Sequence, residues 1–119
     1  MSFAPDDSRS SGWWGYMKTC IRKYDVIPLS DARSPIEYWE LQAVARAIQR
    51  TEALKTGIER LRLVDLVFWK RSHNVVGAAI ELHISEPTAI RWHRDFVKAV
   101  ACEFFGEEML KRYSPERKR

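Results

Sequence analysis

The sequence lacks the features of membrane-spanning, secreted and metal-binding proteins. None of its apolar runs approaches the ~20 residues that a transmembrane helix needs. The N-terminus carries acidic residues and no apolar signal-peptide core, which favours a cytoplasmic protein. Only two cysteines are present, Cys20 and Cys102, and neither belongs to a C-x-x-C or Cys/His metal spacing. We therefore expect two reduced thiols, no bound metal and no contact with a membrane.

Catalytic motifs are also missing. The chain contains no P-loop, no nucleophile elbow and no recognisable pair of catalytic carboxylates. His73, His83 and His93 recur at intervals of ten, a spacing that does not bring them to one helix face. The sequence thus predicts a protein that is not an enzyme and uses no cofactor.

Positive charge is in modest excess. Twenty Lys and Arg against sixteen Asp and Glu give a formal net charge of +4, which favours polyanionic partners without naming one.

A chain of 119 residues has room for one small core. Composition and pattern divide it into a polar leader (1–11), an N-terminal helical region (12–56), a helix-turn-helix region (57–105) and a basic tail (106–119).

The first helix is predicted to start near Trp13. One side of this helix is apolar and aromatic, which indicates docking into the core rather than a binding surface. The apolar positions are Trp13, Trp14, Met17, Cys20, Ile21 and Tyr24. The other side carries Lys18, Arg22 and Lys23, a basic flank suited to phosphates.

Two further helices are predicted before the C-terminal region. Ser34 as N-cap, Pro35 at the first position and Glu37 at the third mark the start of a helix over roughly 35 to 54. Gly57 is interpreted as its stop. A helix over about 58 to 70 is so apolar that we expect it to be the central, most buried element.

The segment from Val75 onward has the pattern of a helix-turn-helix. Small residues at Ala78 and Ala79 permit a close helix crossing, Ile84 fills the turn, and Ser85 caps the second helix. His83 stands where glycine is usual, so its backbone must be left-handed. The inward positions of the second helix are Ala89, Trp92, Phe96 and Val100. The predicted fold is a small all-α domain of about five helices.

The outward side of that second helix supplies the candidate DNA contacts. Arginine donates two hydrogen bonds to guanine or binds a phosphate, threonine contacts base edges, and isoleucine packs against a thymine methyl group. Asp95 also faces outward, as a local charge partner. The candidate DNA-binding residues are Ser85, Thr88, Ile90, Arg91, Arg94 and Lys98.

These residues also carry a family resemblance. The stretch "VVGAAIELHISEPTAIRWHRDFVKAV" resembles the helix-turn-helix of region 4 of the sigma-70 family. Together with "LRLVDLVFWKRSH" it is similar to phage-encoded late transcriptional activators of the RinA and ArpU type. The resemblance implies a sequence-specific regulator of phage late genes that binds double-stranded DNA. Its recognition helix would run from Glu86 to Val100, with Thr88, Ile90, Arg91 and Arg94 facing the major groove.

Two other functions remain open at this stage. One is a small terminase-like protein for DNA packaging, which would assemble as a ring; the oligomeric state distinguishes it. The other is a protein-interaction module that binds RNA polymerase through Trp13, Trp14 and Tyr16, without affinity for DNA. Burial of the two tryptophans would argue against this module.

Overall fold

Helices make up all the regular structure in the computed structural model, which describes residues 12–106. This part of the chain contains five α-helices, one 3-10 turn and one π-helical turn, so the all-α prediction is confirmed. The α-helices are α1 (Gly12–Val26), α2 (Pro35–Glu52), α3 (Gly57–Val64), α4 (Val75–Leu82) and α5 (Glu86–Phe105). The predicted leader (1–11) and all but the first residue of the predicted tail (106–119) lie outside the described residues.

Helix α1 docks its apolar side into the core, as predicted. Trp14, Met17, Cys20 and Ile21 are all buried. Among residues 12–106, no helix is both long enough and apolar enough to cross a bilayer.

Helix α2 begins at the predicted cap. The Ser34 hydroxyl accepts a hydrogen bond from the Glu37 N–H at 3.1 Å, and Pro35 occupies the first helical position. The Glu37 carboxylate reaches back to accept from the Arg33 N–H at 2.8 Å. Both bonds satisfy donors near the helix start that have no partner within the helix.

Gly57 does not end α2, so its predicted role was wrong. Helix α2 ends at Glu52, a short turn follows, and Gly57 is the first residue of α3. A Cβ atom at this position would collide with the backbone oxygen of Thr51 and lie 2.8 Å from that of Glu52. Glycine is needed here because the start of α3 passes directly against the last carbonyls of α2.

The predicted helix over 58–70 is also more complex than expected. Helix α3 ends at Val64 and continues as one π-helical turn over Asp65–Trp69, where the Lys70 N–H donates to the Asp65 oxygen at 2.7 Å. Phe68, in this π turn, is buried. Trp69 directs its indole N–H to the backbone oxygen of Ile21 at 2.8 Å, which ties the π turn to α1.

The 58–70 segment is not the most buried element, contrary to the prediction, because three of its thirteen residues (Leu63, Val64 and Phe68) are buried, against six of the twenty in α5. Both elements contact all the other α-helices, and the two core clusters lie along α5. The larger core cluster surrounds its second half and includes Phe96, Val97, Val100 and Ala101. A smaller cluster surrounds its first half and consists of Leu63, Ala78, Ala79, Ala89 and Trp92. Val67 packs against both clusters, so the predicted N-terminal and C-terminal regions share their cores.

Candidate nucleic-acid interface

Helix α4 starts at a side-chain cap and buries its small residues. The Asn74 side-chain oxygen accepts from the Gly77 N–H at 2.8 Å. Ala78 and Ala79 are buried in the same cluster as Ala89 of α5. Because all three side chains are methyl groups, α4 and α5 can cross closely, as the sequence predicted.

The turn between α4 and α5 is held by a left-handed residue. His83 has φ 59° and ψ 44°, which confirms the prediction for this position. The His83 N–H donates to the Ile80 oxygen at 3.2 Å, and the Ile84 N–H donates to the Ala79 oxygen at 3.0 Å. This pair of bonds is the Schellman motif, and the half-buried Ile84 packs on the smaller core cluster. The turn therefore fixes the direction in which α5 leaves α4.

Helix α5 begins at Ser85, as predicted. The Ser85 hydroxyl accepts from the Thr88 N–H at 3.2 Å and donates to the Thr88 hydroxyl at 2.8 Å. Thr88 retains its own hydroxyl hydrogen for donation to a ligand. Glu86 lies in the first turn, where its carboxylate complements the positive end of the helix dipole.

The two sides of α5 differ sharply. The predicted inward residues Ala89, Trp92, Phe96 and Val100 are all buried, which confirms the stripe. On the opposite side, Ile90, Arg91 and Arg94 are exposed and border one shallow depression together with Glu86 and Pro87. Arg91 and Arg94 form no hydrogen bond or ion pair with any residue in 12–106, so their guanidinium groups are available to a ligand.

Lys98 and Asp95 lie on a different flank from Arg91 and Arg94. Both line a groove of about 390 Å³ that α5 forms with residues of α2 and α3. Asp95 pairs with Arg60 at 3.2 Å, and the Arg60 guanidinium lies 5.3 Å from the centre of the Trp92 ring. The six candidate residues are therefore split, with Lys98 on the groove side.

His93 lies at the junction of α5, α1 and the π turn. Its imidazole stacks on Phe68, with 5.1 Å between ring centres and 7° between planes. Burial, together with the nearby charges of Lys18, Arg94 and Arg22, lowers the pKa of His93 to about 4. The sequence pattern did not indicate this role. The surroundings of His93 show that Lys18 and Arg22 of α1 lie near Arg94 of α5.

Lys23 does not belong to an exposed basic flank, contrary to expectation. Its ammonium group binds Glu40 at 2.6 Å and Glu37 at 3.3 Å, both on α2. Tyr16 donates its hydroxyl hydrogen to the same Glu40. These carboxylates neutralise Lys23, which removes it from the predicted basic flank.

The alternative interaction surface on α1 is largely buried. Trp14 is 5% exposed. Trp13 is half-buried against it, with ring centres 5.5 Å apart. Of the three aromatic residues proposed as anchors for RNA polymerase, Tyr16 alone is exposed, with 36% of its surface accessible to solvent. This burial counts against a binding surface formed by these three side chains.

Comparisons with protein-family models, with curated proteins and with solved structures find no match to this chain. Within residues 12–106, no three His, Cys, Asp or Glu side chains are grouped as metal ligands would be. The features of the molecule that bear on function are the geometry and charge of α4, the turn and α5.

Proposed function

We propose that this chain is a transcription regulator that binds double-stranded DNA by inserting α5 into the major groove. The observation that carries the proposal is the two-sided character of α5. Its inner side is locked into the core, while Ile90, Arg91 and Arg94 are exposed on its outer side. Helix α4 and the turn at His83 support α5 as the first helix of a helix-turn-helix does.

The outer side of α5 has the chemistry for reading bases. The major groove is about 12 Å wide and accepts an α-helix, whose diameter is about 10–12 Å. In this position Arg91 and Arg94 donate paired hydrogen bonds to guanine, and Ile90 packs against a thymine methyl group. Ser85 and Thr88, at the start of the helix, face a phosphate. Lys98 is given no base contact, because it lies on the groove side.

The proposal involves binding alone, with no reaction and no cofactor. The resemblance of about residues 58 to 101 to phage late activators extends the proposal to activation of phage late genes. Such a regulator acts where the genome is transcribed, which fits the cytoplasmic location expected from the sequence.

The test is a comparison of binding to a selected duplex and to random duplex DNA. Sites are first selected from a random pool with the full chain. Arg91→Ala and Arg94→Ala should each weaken binding to the selected site by about 1–3 kcal/mol, or roughly 5- to 150-fold. Binding to random DNA should change much less. Arg46→Ala, an exposed arginine on α2, is the matched control and should bind as the wild type does.

Three outcomes would contradict the proposal. Equal losses on both duplexes would assign the two arginines to phosphates rather than bases. Unchanged binding by the folded Arg91→Ala/Arg94→Ala variant would remove α5 as the reading helix. A ring-sized mass in light scattering would replace transcription by DNA packaging as the role of the same helix.

A further inference from the structure

Cations from three separate elements are linked to one another by shared contacts and shared depressions. Lys18 and Arg22 come from α1, Arg71 comes from the loop before α4, and Arg91 and Arg94 come from α5 itself. Three spatial relationships link them, and each is independent of the others.

The first relationship joins α1 to α5 around His93. The charges of Lys18, Arg22 and Arg94 all act on this one imidazole. The guanidinium of Arg22 lies 5.9 Å from the centre of the Phe68 ring, on which His93 stacks. Lys18 and Arg22 are four residues apart and therefore share one face of α1.

The second relationship joins α1 to the loop. Arg22 and Arg71 border the same open depression, of about 340 Å³, between α1 and the π turn. Arg71 has φ 54°, a left-handed conformation that holds the loop in a sharp bend. Its side chain is exposed.

The third relationship continues the series along α5, where Arg94 and Arg91 border a depression with Glu86. Two carboxylates line these surfaces, Asp25 beside Arg22 and Glu86 at the start of α5. Among the described residues, four arginines (Arg22, Arg71, Arg91 and Arg94) against these two carboxylates leave the two depressions positive.

We infer that Lys18, Arg22 and Arg71 form a basic track that binds the phosphate backbone of the same DNA whose groove α5 enters. The inference rests on the proposed function and names the contacts that position α5. A row of cations suits a duplex strand, because each strand presents one phosphate per ~3.4 Å along the helix axis. Phosphate contacts fix register and orientation, whereas base contacts supply specificity.

The track is tested by the salt dependence of binding. Each phosphate contact adds about 0.9 to the slope of log affinity against log salt on B-form DNA. Lys18→Gln/Arg22→Gln should therefore lower the slope by about 1.8, equivalent to about a tenfold change in the wild-type-to-variant affinity ratio between 50 and 200 mM salt. The change should be the same on selected and random duplexes, since phosphates carry no sequence.

Two variants serve as checks. Arg71→Gln leaves α1 untouched and should lower the slope by about 0.9. Arg46→Gln/Lys55→Gln removes the same two kinds of charge from exposed positions in and after α2, and should leave the slope unchanged. Helical circular dichroism and Tm of each variant establish that it is folded.

The results of these variants distinguish failure of the basic track from failure of the proposed function. If the track variants keep the wild-type slope while Arg94→Ala loses its selected site, the track is wrong and the proposed function stands. If the control lowers the slope equally, the effect is one of total charge and the track is also wrong. If the track variants lower the slope but Arg91→Ala/Arg94→Ala has no effect, the cations bind phosphates without positioning α5, and the proposed function is wrong. A wild type that binds no duplex overturns both.

Discussion

The imidazole of His93 lies almost parallel to the ring of Phe68, with 5.1 Å between their centres. This contact joins α5 to the π turn. It also places a titratable group where burial and three nearby cations oppose its protonation. The stability of the fold therefore depends on pH through His93.

Mild acidification should destabilise the protein through His93. The unfolded chain takes up a proton at His93 near pH 6.5, whereas the folded chain does so only near pH 4, so the free energy of unfolding falls as pH decreases between these values. The loss is on the order of 3 kcal/mol over the full interval. Urea unfolding at pH 7, 6 and 5 measures it.

His93→Phe is the control for this pH dependence, because it keeps a flat ring on Phe68 and removes the proton. Its stability should vary much less between pH 7 and 5, and an unchanged pH dependence would exclude His93 as the cause. The comparison is limited to pH 5–7 so that Glu37 does not contribute to it. Arg33 and Lys23 lower the pKa of Glu37 to about 2 in the folded chain. The stabilisation from Glu37 is present above its ordinary pKa of 4.5 and is lost only below it.

Gly57→Ala should destabilise the fold by more than about 2 kcal/mol. The added methyl group would press on the backbone oxygens of Thr51 and Glu52, which cannot move without unwinding the end of α2. Gly15→Ala is the matched control, since nothing lies within 4 Å of a Cβ there. At this exposed position in the first turn of α1 the substitution should stabilise the fold by up to about 0.5–1 kcal/mol. Equal Tm values for the two variants would contradict the close approach.

His83→Gly should raise the free energy of unfolding by up to about 1 kcal/mol. A left-handed non-glycine residue is strained by about 1–2 kcal/mol, and the greater freedom of glycine in the unfolded chain offsets part of the relief. His83→Ala also removes the exposed imidazole but keeps the strain, so it should not stabilise. Chemical denaturation of both variants separates strain from side-chain contacts. If alanine stabilises as much as glycine, strain is not the cause.

Lys23→Met should destabilise by about 1–3 kcal/mol, because it leaves the nearly buried Glu40 without its cation. Adding Glu40→Gln to this variant should recover part of the loss, since a neutral amide needs no charged partner. Calorimetry of the single and double variants measures the difference. No recovery would show that the lysine stem, rather than the ion pair, carries the effect.

The features predicted correctly from the sequence are those that depend on close neighbours in the chain. The caps at Ser34 and Ser85 involve residues three positions apart, and the left-handed His83 follows from the end of one helix and the start of the next. The buried stripe from Ala89 to Val100 needs helical periodicity alone. Each of these features depends on residues that are close together in the sequence.

The features missed depend on residues that are distant in sequence. Lys23 looked like a surface cation because Glu37 and Glu40 belong to another helix. Helical periodicity placed Lys98 with the exposed arginines, but the groove beside it is made by α2 and α3. The stacking of His93 on Phe68 has no local signal at all.

Because α5 runs through both core clusters, its inner side packs against both of them, whereas Ile90, Arg91 and Arg94 on its outer side are exposed. Substitutions at Ile90, Arg91 and Arg94 remove no core contact, so evolution can change them at little cost to folding. Related chains would then keep one scaffold while diverging in the ligand that they prefer. Under the proposed function, packing of one helix against two clusters lets the bases read by its outer side change while the scaffold is kept.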